Sequence, residues 1–246
     1  MKAWLSRTAG GAESLALVDA APPALEAGKI LVRVEAVGVN YPDVLLLRDR
    51  YQVRPERPFI PGGEFCCQVL EVAPSTTGFR AGDVVVGRTV YGAMAEFVVV
   101  AADRCERIPA DMPRTDAAAF FFAYATAYHA LRNAGGLVAG ETLLILGAGG
   151  GVGSAAIELG KAFGARVVVA ASTHEKVQFA LACGAEDGLV CPADLVSSEQ
   201  KKSLSAELKG LTGAGGADVV LDPVGGNYSE PALRSLGPLG RHLGKR

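Results

Sequence analysis

The spacing of hydrophobic positions changes near the middle of the chain. The first half contains short apolar runs, each bounded by turns with glycine or proline, at residues 29–39, 64–72, 83–87 and 95–100. Runs of this length between turn residues are typical of strands. A short helix is predicted over residues 43–48, because Pro42 suits the first helical turn. We therefore expect a small, irregular β domain.

The second half alternates strands with helices. Strands are predicted at residues 142–146, 166–171, 189–190 and 218–222. Helices are predicted at residues 115–131, 151–163, 173–183, 199–211 and 229–236. The strands are apolar on both faces, which is typical of a parallel sheet covered by helices on each side. The predicted fold class is α/β, with domains at residues 1–114 and 115–246 and a doubly wound sheet in the second.

Length, charge and cysteine usage limit the classes of function. The 246 residues exceed the roughly 150 typical of one domain, and 24 basic against 26 acidic residues leave a net charge of -2. Charge alone therefore attracts neither nucleic acid nor an anionic membrane, and neither partner is expected. The cysteines lie outside any zinc-binding spacing: Cys66, Cys67, Cys105, Cys183 and Cys191. Without a secretory signal, this pattern favours a reduced, cytoplasmic protein that holds no metal.

A glycine-rich loop links the strand at residues 142–146 to the following helix. It reads Gly-Ala-Gly-Gly-Gly-Val-Gly over residues 147–153. A diphosphate needs bare backbone N–H groups at a helix N-terminus, and glycines permit the close approach that a Cβ would block. The strict G-x-G-x-x-G pattern is not met, but the strand–loop–helix setting favours a dinucleotide site. The predicted cofactor-binding residues are Gly150, Gly151, Val152 and Gly153.

The end of the next strand bears on the choice of cofactor. An NAD site usually has an acidic residue there, which accepts hydrogen bonds from the ribose, but this chain has Ala171. Ser172 and Lys176 follow and offer a hydroxyl and a positive charge for a 2′-phosphate, so NADP(H) is the predicted cofactor. In the alternative interpretation, Ser172 only caps the helix and Lys176 faces solvent.

Motifs along nearly the whole chain resemble one family. They are GVNYPD at residues 38–43, PGGEF at 61–65, AGDVV at 81–85, YGAMAEFVVV at 91–100 and ATAYHAL at 125–131, together with the glycine loop. In this order they are similar to the zinc-independent quinone oxidoreductases, the zeta-crystallin-like branch of the medium-chain dehydrogenase/reductase superfamily. The resemblance implies a GroES-like β domain beside a Rossmann domain, with NADPH in the cleft between them.

The chain departs from the alcohol dehydrogenase branch at the metal ligands. Asn40 and Gly63 occupy the places of the catalytic cysteine and histidine, and the structural run of four cysteines is absent. Without a Lewis acid, the expected reaction is hydride delivery from NADPH to an already electrophilic quinone or enone. Reduction of enoyl thioesters is one alternative. A nucleotide-binding or interaction protein without turnover is the other.

The resemblance also implies site residues. Asn40 and Asp43 are expected near the nicotinamide, Thr126 close to the cofactor, and Tyr51 on the cleft wall. Alternatively, Asn40 ends a strand, Asp43 caps the helix after Pro42, and Thr126 bonds backbone within its own helix. Val224 and Gly225 are cofactor candidates on other grounds, because they follow a parallel strand where open sheets hold their ligands.

The sequence ends early relative to this family. Residues 240–243 are predicted to begin only the fifth strand of a sheet that usually has six. We therefore expect a Rossmann domain that is incomplete at its C-terminus in a truncated chain, for which turnover and the homodimer of full-length relatives are both doubtful.

Overall fold

A computed structural model describes residues 1–244. It divides into two compact units, the first covering residues 1–122 and the second beginning at Ala123. The sequence prediction placed this boundary after residue 114. The first unit contains two sheets and the second contains one, and each unit has its own apolar core.

The first unit is mainly antiparallel sheet. Its strands are β1 (Lys2–Ser6), β2 (Leu15–Asp19), β3 (Lys29–Gly38), β4 (Glu64–Val72), β5 (Val84–Arg88), β6 (Phe97–Ala101) and β7 (Cys105–Arg107). Strands β1 and β2 pair with each other, and the remaining strands form a sheet in the order β6-β3-β4-β5-β7. Two short helices complete the unit: α1 (Tyr41–Leu47) and α2 (Arg114–Ala118). This agrees with the predicted β domain.

Adjacent cysteines show how the sheet is covered on two sides. Cys67 lies in the core with Phe65 and Val69, whereas Cys66 packs beside Ala117 and Ala118 of α2. Successive side chains of a strand point to opposite faces, so β4 is buried on both. Burial raises the pKa of the Cys67 thiol, and desolvation is the main cause.

The second unit is a parallel sheet with helices on both faces. Its strands are β8 (Thr142–Leu146), β9 (Arg166–Ala171), β10 (Asp187–Val190), β11 (Ala217–Asp222) and β12 (Leu236–Gly244). Its helices are α3 (Phe121–Tyr128), whose first two residues belong to the first unit, α4 (Gly151–Ala162), α5 (His174–Ala182), α6 (Ser198–Thr212) and α7 (Ser229–Arg234). The strand order is β10-β9-β8-β11-β12.

All the strand pairs of this sheet are parallel. One core cluster contains Ile145 and Ile157, and a second, on the other face, contains Leu144 and Leu208. The doubly wound sheet predicted from two-sided apolar strands is therefore confirmed. Within residues 1–244, no helix combines the length and the apolar content that crossing a membrane would require.

The long helix predicted over residues 115–131 is wrong. Helix α2 ends at Ala118, α3 begins at Phe121, and the chain continues as a π-helix, His129–Ala134. The break has a physical cause, because the Glu64 carboxylate accepts a hydrogen bond of 2.7 Å from the Phe122 backbone N–H. A first-turn N–H that has no partner within its own helix is satisfied in this way, and a new helix begins there.

Two helix-interior glycines of the second unit provide a matched test of packing. A Cβ on Gly160 of α4 would lie 2.8 Å from Leu143 Cδ2 and 2.9 Å from Val167 Cγ2, whereas one on Gly210 of α6 would meet nothing within 4 Å. We expect Gly160→Ala to lower the free energy of unfolding by about 1–3 kcal/mol through overpacking. Gly210→Ala should raise it by about 0.5 kcal/mol.

Urea unfolding of both variants measures these changes. Equal effects of the two substitutions would contradict the close packing of α4 on β8 and β9.

Candidate functional site

A cavity of about 350 Å³ opens at the carboxyl ends of the parallel strands. Its lining comes from the glycine loop, the ends of β8 and β9 and the segments that follow the strands: Leu146, Gly147, Gly149, Gly150, Ala170, Ala171, Ser172, Lys176, Cys191, Val224 and Tyr228. The structure thus brings together four residues predicted to bind the cofactor, namely Gly150, Ser172, Lys176 and Val224. Gly151, Val152, Gly153 and Gly225 lie beside this lining rather than in it.

The glycine loop leaves the N-terminus of α4 bare. Gly147 has a φ of 63°, a left-handed conformation that favours glycine, and turns the chain out of β8. Gly150 is the N-cap of α4, and among the described residues no side chain caps this terminus. A Cβ on Gly150 would come no closer than 3.6 Å to the Gly147 oxygen. First-turn N–H groups without a capping side chain, at the positive end of the helix dipole, suit an anionic ligand.

Val152 and Gly153, which were also predicted to bind the cofactor, hold the loop in place. Gly153 is buried, and a Cβ there would lie 2.5 Å from the Gly147 oxygen and 2.7 Å from Ala148 Cα. Val152 packs against the core cluster that contains Ile145. Gly153 therefore permits the backbone of the loop to rest on α4, as the third position of a dinucleotide fingerprint requires.

Ser172 and Lys176 form a polar pair at the edge of the cavity. Lys176 Nζ donates to Ser172 Oγ at 3.0 Å, and both residues are exposed. The alternative interpretation, in which Ser172 caps α5, is wrong, because Thr173 is the N-cap and its hydroxyl accepts the Lys176 N–H. The Ser172 hydroxyl is thus available to a ligand. Ala171 is buried where an acid would stand, so no carboxylate from this position reaches the cavity.

The lysine stem also lies against the glycine loop. A Cβ on Gly149 would be 2.7 Å from Lys176 Cγ and 2.9 Å from its Cβ. The absence of a side chain at position 149 therefore leaves room for Lys176 beside the loop. This arrangement places a cation and a hydroxyl next to a bare helix N-terminus.

Asp222, which is not among the predicted site residues, supports the part of the lining that contains Val224. Its carboxylate is fully buried at the end of β11, and Oδ1 accepts the N–H groups of Val224 at 3.1 Å and Gly225 at 2.8 Å. Oδ2 accepts the Ser229 hydroxyl at 2.5 Å, and His242 Nε2 lies 3.4 Å from the same oxygen. Asp222 therefore fixes the turn that presents Val224, and an acidic residue followed by proline is the sequence signal for such a turn.

Cys191 and Tyr228 also line the cavity without having been predicted. The Tyr228 hydroxyl donates to the Pro192 carbonyl at 2.6 Å, which holds the ring in place. Burial raises the pKa of Cys191 to about 11, so its thiol stays protonated at neutral pH and is a poor nucleophile. The position of Cys191 just after β10 is the signal that was overlooked, since parallel strands end at one edge of the sheet.

In the first unit, Asn40 and Asp43 lie next to each other at the start of α1. The Asn40 backbone N–H donates to Asp43 Oδ2 at 2.8 Å, and Asp43 is buried. Burial raises the pKa of the Asp43 carboxyl, while hydrogen bonds from the backbone of Asn40 and Gly62 lower it. Asp43 thus occupies the capping role that was its alternative interpretation. The Asn40 side chain donates from Nδ2 to Glu64 Oε1 at 2.8 Å.

Tyr51 and Thr126, the remaining predicted site residues, belong to different units. Tyr51 packs against the apolar cluster of Leu46, Leu47 and Phe59 in the first unit. Thr126 is exposed on the part of α3 that belongs to the second unit. Glu64, which was not predicted, is the residue that contacts Asn40.

The residues at the metal-ligand places do not fit a zinc ion. Asn40 offers an amide that is bonded to Glu64, and Gly63 has no side chain. A Cβ on Gly63 would lie 3.1 Å from the Phe122 ring. Across residues 1–244, no three or more His, Cys, Asp and Glu side chains come together as a metal-binding group. Zinc requires such N, S or O donors in tetrahedral array.

Comparisons with known proteins match both units. Residues 26–110 match the family model described as the alcohol dehydrogenase GroES-like domain, and residues 151–243 match that of the zinc-binding dehydrogenase. Among curated proteins, quinone oxidoreductase-like protein 2 of Rattus norvegicus is 33% identical over 97% of this chain and 70% of its own length.

Solved structures of quinone oxidoreductases are also similar to this chain. The enzyme of Thermus thermophilus, described also in its complex with NADPH, has a TM-score of 0.83 at 31% identity and covers 100% of this chain and 80% of that one. The Escherichia coli enzyme complexed with NADPH has a TM-score of 0.87 at 29% identity and covers 98% and 72%.

Two glycines in the first turn of α4 test how tightly the loop is built. Gly153→Ala should lower the free energy of unfolding by about 2 kcal/mol, because its Cβ would meet the rigid backbone of residues 147 and 148. Gly151→Ala is the control, since its Cβ would lie 3.8 Å from the Ala123 methyl group, an ordinary contact. Chemical denaturation measures both. If Gly153→Ala is as stable as Gly151→Ala, the loop does not rest on α4 as described.

Proposed function

Because the chain belongs to the quinone oxidoreductases of the medium-chain dehydrogenase/reductase superfamily, we propose that it reduces a quinone or an activated enone with NADPH. One observation carries this proposal. The Lys176–Ser172 pair stands beside the bare N-terminus of α4, with Ala171 where an NAD site would have an acid. The NADPH complexes of the structural relatives support the same cofactor.

The residues of the second unit fit this cofactor. Gly150, the bare N-cap, would let the diphosphate approach the first-turn N–H groups of α4, which begins at Gly151. Lys176 and Ser172 would hold the 2′-phosphate by charge-assisted hydrogen bonds. The turn at Val224 and Gly225, which Asp222 fixes, would contact the nicotinamide end. When bound, NADPH supplies the hydride that, together with one proton from water, converts a quinone to a hydroquinone.

The first unit accounts for the class of acceptor. Its described residues offer no set of zinc ligands that could help to ionise an alcohol, which supports an acceptor that is already electrophilic. Asn40 has an amide N–H that can donate to the oxygen on which negative charge develops. We propose Asn40 and Thr126 as residues that contact the bound molecules. Asp43 acts by holding the backbone of Asn40, and Tyr51 by supporting the loop after α1.

The loss of NADPH absorbance with three acceptors tests the reaction class. We expect turnover with a quinone such as a benzoquinone, slower turnover with an enoyl-CoA, and none with a primary alcohol and NADP⁺. Faster reduction of the enoyl thioester would assign the chain to that alternative activity. Alcohol oxidation that depends on added zinc would refute the metal-free chemistry, and NADPH binding without turnover of any acceptor would refute an oxidoreductase.

The choice of cofactor is tested at Lys176. Lys176→Ala should weaken NADPH binding about tenfold, the loss expected for one charge-assisted hydrogen bond at an exposed site, and leave NADH binding nearly unchanged. Lys202→Ala, which removes an exposed lysine of α6, is the control for the loss of one charge. Dissociation constants come from the change in nicotinamide fluorescence. An equal loss of affinity for both cofactors would show that Lys176 does not recognise the 2′-phosphate.

A further inference from the structure

Glu64 is a buried carboxylate in the first unit that the proposed chemistry does not use. It begins β4 and is 2% exposed. Its two oxygens bind two separate segments of the chain, since Oε1 accepts Asn40 Nδ2 at 2.8 Å and Oε2 accepts the Phe122 backbone N–H at 2.7 Å. Glu64 is therefore the group that joins the side chain of Asn40 to the first turn of α3.

Gly38 lies close to this carboxylate. A Cβ on Gly38 would lie 2.6 Å from Glu64 Oε1 and 2.2 Å from the Ala118 carbonyl oxygen. Any side chain at position 38 would thus collide with both the carboxylate and the end of α2. The lack of a side chain at position 38 therefore leaves room for the Glu64 carboxylate in the position where it accepts Asn40 Nδ2.

Burial and hydrogen bonds act in opposite directions on the pKa of the Glu64 carboxyl, and the effect of burial is the largest. Burial raises the pKa of the Glu64 carboxyl, and the neighbouring charge of Asp43 raises it further. Hydrogen bonds from the Asn40 side chain and from the backbone of Phe122 and Phe121 act in the opposite direction. All three partners are donors, so the site requires a residue that only accepts. Glutamine would direct an NH₂ group at one of these donors.

We propose that Glu64 is a positioning residue that holds the Asn40 side-chain amide in one orientation for the acceptor. An asparagine amide can rotate so that oxygen and nitrogen exchange places, and an acceptor-only partner selects the orientation with Nδ2 toward Glu64. The second N–H of Nδ2 then donates to the oxygen of the acceptor. This inference rests on the role of Asn40 in the proposed function.

A double-mutant cycle of Glu64→Gln and Asn40→Ala tests the coupling. With a quinone acceptor, Glu64→Gln should lower kcat/KM about tenfold in the wild-type background and less than about twofold in the Asn40→Ala background, because its effect passes through Asn40. The NADPH dissociation constant should not change. Glu71→Gln, an exposed glutamate of the same strand, is the matched control. Equal losses in both backgrounds would overturn the proposal.

A measurement that needs no turnover separates this inference from the proposed function. The NMR signals of the Asn40 side-chain amide, identified by their loss in Asn40→Ala, should be protected from exchange with water in the wild-type protein and lose that protection in Glu64→Gln. Unprotected signals in the wild type overturn the positioning role even if Glu64→Gln does not fold. Protected signals in a protein that reduces no acceptor refute the proposed function and leave the positioning role supported.

Discussion

The parallel pairing of strands buried on both faces is the constraint on which the second unit depends. Such strands cannot present polar side chains along their length, so polar groups are confined to their ends. Because the strands run in one direction, their carboxyl ends share one edge, where the glycine loop, the Lys176–Ser172 pair, Cys191 and the turn after Asp222 meet. The cavity is thus a consequence of the sheet, and the identity of the residues at that edge decides what it binds.

Two buried carboxylates, one in each unit, hold hydrogen-bond donors that have no partner within a sheet. Asp222 accepts two backbone N–H groups and a hydroxyl in the second unit, and Glu64 accepts an amide and a backbone N–H in the first. A buried carboxylate is costly unless donors surround it, and removing the donors or the acceptor leaves an unsatisfied group. Each carboxylate therefore specifies one local conformation.

Several features that depend on neighbouring residues were predicted correctly, whereas others that depend on residues far apart in the sequence were not. Strands 142–146 and 166–171 were predicted with their observed bounds, because two-sided burial makes apolar runs unambiguous. Ser172 and Lys176 were predicted to lie together because they are only four residues apart, at the end of a strand whose bounds were predicted correctly. The helix over 115–131 failed because its interruption depends on Glu64, which is distant in sequence. Glu64 was not selected as a site residue although it lies in the PGGEF motif at residues 61–65. The motif does not show its role, which comes from partners that only the fold brings together.

The arrangement around Glu64 also links the orientation of Asn40 to the lack of a metal site. Phe122 is held by its N–H on Glu64, and its ring lies where a Cβ at position 63 would come within 3.1 Å. A histidine in place of Gly63 would therefore require the Phe122 ring to shift by a few tenths of an ångström, and any movement of its backbone would disturb the carboxylate that orients Asn40. Replacing Gly63 alone would not create a zinc site, because Asn40 would still offer an amide. Orientation of a neutral donor, as we propose for Glu64 and Asn40, and coordination of a metal are thus alternative uses of the same few residues.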